Sequence, residues 1–116
     1  LYMYETDLAE ICNKLCAMGP KKIVVSGLER GDNLENFIYE GGKEWQTILE
    51  HKVGPFRSGT GDVFSTIIAA DTVNGVGFAD SVRHASSFVA KVLRRTVELD
   101  LPKTDGICFE EFLTEI

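Results

Sequence analysis

The sequence lacks the features that mark several classes of protein. Its longest uninterrupted apolar runs, such as residues 67–70, are far too short to cross a bilayer. It has no signal-peptide pattern. Basic residues are outnumbered by acidic ones, twelve against eighteen, which gives a net charge of −6. We therefore expect neither a membrane protein nor a protein that binds nucleic acid or an anionic membrane surface.

The three cysteines form no metal-binding pattern, because no CxxC pair or histidine cluster accompanies them. Cys12 and Cys16 are spaced to share one apolar helix face, which indicates buried, reduced thiols in a cytoplasmic protein. Cys108 is interpreted in the same way. His51 and His84 stand alone in the sequence, and we expect each to have an ordinary surface or packing role.

At 116 residues and 44% hydrophobic content, the chain is long enough for one globular domain with a modest core. An Asp7/Glu10 capping box and a Gly19-Pro20 stop frame the first predicted helix. A short β-branched run follows, which is typical of a buried parallel strand. This order of helix and strand predicts an α/β fold. The predicted helices are 7–18, 62–73, 78–97 and 109–116, the predicted strands are 22–26, 35–39 and 44–53, and 29–33 is a predicted loop.

The most informative stretch is Gly59-Thr60-Gly61-Asp62, directly before an apolar helical pattern. Glycines at 59 and 61 can take positive φ, so the order predicts a tight turn that opens into a helix. Such a junction directs several backbone N–H groups and the positive end of a helix dipole to one point. An anion fits there. A carboxylate beside the anion is a candidate proton acceptor, so the stretch suggests phosphate chemistry.

A plainer interpretation makes Asp62 only the N-cap of the helix. The turn also lacks the lysine of a P-loop and does not match the G-x-G-x-x-G dinucleotide fingerprint. Four residues alone leave both interpretations open, and their context has to decide. The helix that follows is apolar almost all round, which predicts burial on most of its sides.

In that context the stretch resembles the C-terminal signature of the ribokinase-like superfamily, in which G-x-G-D opens a buried helix. Within it the chain is most similar to the pyridoxal/pyridoxamine (vitamin B6) kinases. The matching residues are the runs 59–65, 74–75, 78–81 and 18–26. The resemblance covers nearly the whole chain. It implies a three-layer α/β/α fold, of which residues 1–116 are the C-terminal, nucleotide-binding part of a single kinase domain.

The resemblance also implies an activity, the transfer of the ATP γ-phosphate to the 5′-hydroxymethyl group of pyridoxal, pyridoxine or pyridoxamine. Relatives require Mg²⁺, and a monovalent cation often assists. By position, Asp62 matches the catalytic base of the family. Gly59, Thr60 and Gly61 match its anion hole.

Two further residues match the ATP site of the family. Ser26 matches a hydroxyl residue near the ATP phosphates, and Val53 falls where relatives line the adenine pocket. A strand-end hydrogen bond would explain Ser26 about as well, and plain packing would explain Val53. Gly27 departs from the family, because many relatives have a second hydroxyl residue there. Arg57 is charged where relatives are often uncharged.

The N-terminal half of the relatives, which supplies most vitamin-binding residues and the acidic residues that organise Mg²⁺, has no counterpart in this sequence. The first residue is Leu1 rather than Met, and we expect the chain to be part of something larger. We therefore expect no metal ligands here and no phosphorylation by this chain alone. The resemblance implies B6 vitamer and ATP as partners, and relatives are commonly homodimers.

Other functions stay open at this point. Hydroxymethylpyrimidine kinase belongs to the same superfamily, but many members carry cysteine at the position of Asp62, so the aspartate favours a B6 kinase. A sugar or nucleoside kinase of the superfamily is a further alternative. A non-catalytic nucleotide-binding module is an alternative of another class. Asp62 argues against it, because anion binding alone needs no carboxylate beside the anion.

Overall fold

The computed structural model describes residues 4–54, 59–100 and 106–115. The chain divides into two compact units, Leu1–Glu50 and His51–Ile116. The first unit contains helix α1 and a three-stranded sheet, and the second contains two helices and a C-terminal 3₁₀ helix. No helix within these described ranges combines the length and apolarity that a bilayer span requires. The elements are α1 (Glu5–Cys16), β1 (Lys22–Arg30), β2 (Asn33–Glu40), β3 (Gln46–His51), α2 (Thr60–Val73), α3 (Phe78–Glu98) and the 3₁₀ helix (Phe109–Glu115).

Helix α1 begins two residues earlier than the sequence pattern predicts. Its N-cap is Tyr4, and no side chain caps the helix, so the predicted capping box of Asp7 is wrong. Asp7 instead lies in the first turn, where a carboxylate complements the positive end of the helix dipole. Leu8 and Cys12, one turn apart, are buried in a cluster with Phe37 of β2. This cluster is the core of the first unit.

Strand β1 is longer than predicted and pairs antiparallel with β2, so the predicted parallel pairing is not the one observed in the described sheet. The predicted loop at 29–33 is present but shorter than predicted. The strand continues to Arg30, and a turn at Gly31 and Asp32 leads directly into β2. A β-bulge between Val25 and Leu28 carries the strand past Gly27, which has a φ of 70°. The bulge is therefore why a glycine that suggested a strand end lies inside the strand.

The predicted strands 35–39 and 44–53 are both present, with shifted ends, as β2 and β3. Strands β2 and β3 are hydrogen-bonded neighbours in the order β1-β2-β3. Their connection, residues 41–45, is too short for a parallel crossover. Gly42 supplies the positive φ of the turn, at 82°. Trp45 at its end lies with its ring centroid 6.1 Å from that of Phe37, on the β2 strand that packs against α1.

A charged cluster joins α1 to the β1–β2 hairpin. Glu35 of β2 is only 2% exposed, and its Oε2 lies 2.9 Å from Nε of Arg30, an ion pair without the alignment of a hydrogen bond. Burial raises the pKa of the Glu35 carboxyl, and a hydrogen bond with Glu5 raises it further against the opposing effect of Arg30. The pKa of Glu5 is lowered, first by a backbone hydrogen bond. Of the two carboxyl groups, Glu35 is therefore the one that takes up a proton first as the pH falls.

Helices α2 and α3 pack against each other in the second unit. The bounds of α3 differ from the predicted 78–97 by a single residue, because its apolar and polar faces are sharply separated. Ile67 of α2 and Val82 and Val92 of α3 are fully buried. The rest of α2 is less covered than its composition predicts, since Val73 is 86% exposed.

Both histidines have the ordinary roles that were expected. His84 of α3 is half-buried, and its Nδ1 lies 2.8 Å from Oδ2 of Asp71 in α2, so this pair links the two helices. His51 at the end of β3 is exposed. All three cysteines are free thiols, and Cys12 and Cys108 are buried as predicted, whereas Cys16 is only half-buried.

Thr96 connects α3 to the segment before the 3₁₀ helix. Its Oγ1 donates to the Val92 carbonyl at 2.8 Å and accepts the N–H of Cys108 at 3.1 Å, with no exposed surface. The predicted terminal helix is present from Phe109, in the tighter 3₁₀ form. Leu101-Pro102, which separates the predicted helices 78–97 and 109–116 in the sequence, lies outside the described residues.

We predict that Thr96→Val lowers the free energy of unfolding by roughly 1–3 kcal/mol, because the buried Cys108 N–H loses its acceptor. Thr72→Val is the matched control. Thr72 also donates to the carbonyl four residues earlier, Ile68 at 2.8 Å, but it is exposed, so we expect a change within about 0.5 kcal/mol. Urea denaturation measures both variants. Equal losses would contradict the role given to Thr96.

Candidate functional site

The predicted glycine turn begins α2. Gly59 is the N-cap of the helix, with φ 88° and ψ −14°, in the left-handed region. The positive φ predicted for Gly59 is therefore confirmed. The same prediction for Gly61 is wrong, because Gly61 lies within the first helical turn and does not have a positive φ. One left-handed residue is enough to turn the chain into the helix.

The first turn of α2 presents backbone donors. The Val63 N–H makes the first helical bond, to the Gly59 carbonyl at 3.0 Å. The amides of Gly61 and Asp62 precede that bond, so the helix supplies no carbonyl for them. A Cβ atom built on Gly61 would meet nothing within 4 Å. The turn is thus open on the side of Gly61, and an anion can approach these amides and the positive end of the helix dipole.

Asp62 is the third residue of α2, and its side chain is exposed. The plainer interpretation, in which Asp62 is the N-cap, is excluded because Gly59 has that position and no side chain caps the helix. The hydroxyl of Thr66 donates to the main-chain carbonyl of Asp62 at 2.7 Å. Ser65 donates to the carbonyl of Gly61 at 2.9 Å. The carboxylate therefore lies at the accessible start of the helix, in the same turn as the amide donors.

Ile107 lies close to the turn. A Cβ atom on Gly59 would lie 4.0 Å from the Cγ1 of Ile107, which is 6% exposed. Sequence reasoning missed this residue, because it lies far along the chain and has no motif of its own. An isolated isoleucine after a glycine does not indicate which element of the fold it lies beside.

Ser26 and Val53, the two residues matched to the ATP site, lie in different units of the chain. Ser26 is exposed and lies at the bulge of β1. Val53 is half-buried in the connection after β3. Their roles at a nucleotide stay predictions. Arg57 lies outside the described residues.

Metal-binding side chains do not converge in this part of the molecule. Among the described residues, no three of the types His, Cys, Asp and Glu lie where they could hold one ion.

Comparison with known proteins identifies a family. The family model described as phosphomethylpyrimidine kinase matches residues 3–106, which is most of the chain. A search of curated proteins found no match.

Solved structures share the fold. A Bacteroides thetaiotaomicron protein described as a "putative phosphomethylpyrimidine kinase" is similar over 98% of this chain, with a TM-score of 0.91 and 19% identity. A second crystal form of that protein contains pyridoxal and gives a TM-score of 0.89. Pyridoxal kinase from Entamoeba histolytica is similar over 95% of the chain, with a TM-score of 0.79 and 18% identity. These likenesses confirm the predicted ribokinase-like α/β fold.

The chain spans about two fifths of the length of these proteins. It covers 40% of the Bacteroides chain and 39% of the Entamoeba chain. Pyridoxal kinase from Lactobacillus plantarum is also similar, with a TM-score of 0.72 and 17% identity over 81% of this chain and 34% of its own. The similarity therefore concerns one part of the kinase fold.

We predict opposite effects of alanine at the two glycines of the turn. Gly59→Ala should lower the free energy of unfolding by roughly 1–3 kcal/mol, because alanine is strained in the left-handed region. Gly61→Ala should raise it by about 0.4–1 kcal/mol, because the position is helical and a Cβ there meets open space. Urea denaturation of the two variants measures the difference. A stabilising alanine at Gly59 would contradict the turn geometry.

Proposed function

We propose, from the premise that this chain belongs to the phosphomethylpyrimidine kinase family, that it is the C-terminal, nucleotide-binding part of a small-molecule kinase. The reaction is transfer of the ATP γ-phosphate to the 5′-hydroxymethyl group of a B6 vitamer. One observation carries the proposal. The left-handed Gly59 starts a helix whose first turn contains both open amide donors and an exposed carboxylate, Asp62.

The turn serves as the anion hole for the phosphoryl group in transfer. Its charge lies on the non-bridging oxygens, and backbone N–H groups fixed at a helix start stabilise it without reorganising. The amides of Gly61 and Asp62 are the donors that the helix leaves available. Thr60 adds a hydroxyl at the same turn. A glycine at 61 keeps the approach open, since no Cβ stands between the anion and the amides.

Asp62 acts as the general base. Its carboxylate accepts the proton of the hydroxymethyl group while the hydroxyl oxygen attacks the γ-phosphorus. A new bond forms between that oxygen and phosphorus, the bond to the β,γ-bridging oxygen breaks, and ADP leaves with that electron pair. The position of Asp62 in the first turn puts the base and the anion donors on one rigid element, which fixes their mutual geometry.

The B6 vitamer is favoured as substrate by two points. Asp62 stands where many hydroxymethylpyrimidine kinases have cysteine. One structural relative, itself described as a "putative phosphomethylpyrimidine kinase", was crystallised with pyridoxal. The name of the matching family supports the second candidate, hydroxymethylpyrimidine, which offers the same type of primary hydroxyl on an aromatic ring.

The remaining assignments extend the same proposal. Ser26 contacts the ATP phosphates and Val53 lines the adenine pocket. The family resemblance also implies Mg²⁺, with a monovalent cation in support, which would neutralise phosphate charge. A cytoplasmic location is in keeping with the free cysteines. A homodimer would follow the common state of the relatives.

We predict that Asp62→Asn in the full-length protein lowers kcat by roughly 10²-fold or more, the scale of a lost general base, with little change in the KM for ATP. Asp80→Asn is the matched control. Asp80 is likewise exposed and third in its helix, α3, but it pairs with Arg83 at 3.1 Å. Steady-state kinetics should show a normal kcat for this control. Near-normal turnover of Asp62→Asn would overturn its role as the base.

A coupled assay of ADP release tests the substrate. We expect the full-length protein to phosphorylate pyridoxal, pyridoxamine or pyridoxine with a higher kcat/KM than hydroxymethylpyrimidine. Activity on hydroxymethylpyrimidine alone would replace the first candidate by the second. Binding of ATP without phosphorylation of any of the four would instead support the non-catalytic module.

A further inference from the structure

The β-bulge in β1 contains the residue that the proposed function places at the ATP phosphates. Val25 is opposite Phe37 and Leu28 is opposite Glu35, so Ser26 and Gly27 together face the single residue Asn36 of β2. A bulge bends its strand and re-aims the side chains next to it. The direction of the Ser26 hydroxyl therefore depends on what holds the bulge in place.

Asn36 holds it through a hydrogen bond. Its Oδ1 accepts the N–H of Gly27 at 3.2 Å, and the Asn36 residue is only 8% exposed. A polar side chain is costly to bury unless it is hydrogen-bonded. Residues 35–38 of β2 are all buried, so the Asn36 acceptor lies in the most buried segment of the strand.

Gly27 needs this support because of its backbone. Its φ of 70° lies in the left-handed region, and a Cβ atom there would meet nothing within 4 Å. The requirement for glycine is therefore one of conformation and not of space. Gly27 is itself exposed, so water could replace Asn36 as the partner of its N–H. Water would satisfy the amide without fixing the bulge.

We propose that Asn36 is a positioning residue for nucleotide binding, and that it acts through the Gly27 amide to orient the Ser26 hydroxyl toward the ATP phosphates. This inference rests on the proposed function. Asn36 does not itself touch ATP. Its effect belongs to the binding of ATP and not to the chemical step, because a phosphate contact made equally in the ground state and transition state changes KM and leaves kcat.

The test is a double-mutant cycle in the full-length protein, with ATP KM and kcat measured for each variant. Asn36→Leu removes the acceptor with little change of size, and Asn36→Ala removes it without adding bulk. We expect each of them, and Ser26→Ala, to raise the ATP KM by roughly 2- to 10-fold, the range of one hydrogen bond. The ATP KM of the double variant Asn36→Leu/Ser26→Ala should be no higher than that of Ser26→Ala alone, because both changes remove the same phosphate contact.

Ser81→Ala is the control for a merely structural role. It removes a buried hydrogen bond between a side chain and the backbone, from the Ser81 hydroxyl to the Phe78 carbonyl at 2.7 Å, and we expect its ATP KM to be unchanged. Two results would overturn the inference alone. One is a double variant whose increase in ATP KM is the product of the two single increases. The other is an active Asn36→Leu protein with an unchanged ATP KM. A wild-type protein that binds no ATP and transfers no phosphate would overturn the proposed function and this inference with it.

Discussion

The functional account depends on one constraint, the left-handed backbone at Gly59. A residue with a Cβ atom is strained at φ 88°, so glycine is the residue that can turn the chain into α2 at this point at low cost. The turn sets where α2 begins, and the start of α2 sets which amides lie before its first hydrogen bond. Moving that start by one residue would change both the amide donors and the place of Asp62 within the first turn.

The bulge at Gly27 solves the same problem in a different way. There, too, a glycine with positive φ lies next to a residue that we predict to contact phosphate, Ser26. Gly59 is held by the helix that it starts, and Ile107 lies beside it. Gly27 has no helix after it, and the side chain of Asn36 provides the support that a regular strand ladder cannot give at a bulge. At both positions a glycine, which can adopt many backbone conformations, is kept in one conformation next to a residue that is itself buried.

Sequence reasoning predicted the parts of the molecule that depend on local pattern. The ends of α3 follow from its amphipathic period, and the left-handed turn at Gly59 before α2 follows from the order of residues 59–62. It failed where a residue that is distant in sequence determines the local structure. Strand β1 continues beyond Gly27 because β2 pairs with both sides of the bulge, and no local signal in 26–30 predicts that pairing. Asn36 and Ile107 were missed for the same reason, since each acts on a residue that is remote in sequence.

A crystal structure of the full-length protein with pyridoxal and a non-hydrolysable ATP analogue tests the central claim most directly. The account predicts a γ-phosphate oxygen within about 3.2 Å of the backbone nitrogen of Gly61 or Asp62. It also predicts the Asp62 carboxylate within about 3.2 Å of the hydroxymethyl oxygen of the vitamer. A γ-phosphate bound away from the start of α2, or a hydroxymethyl group out of reach of Asp62, would contradict it.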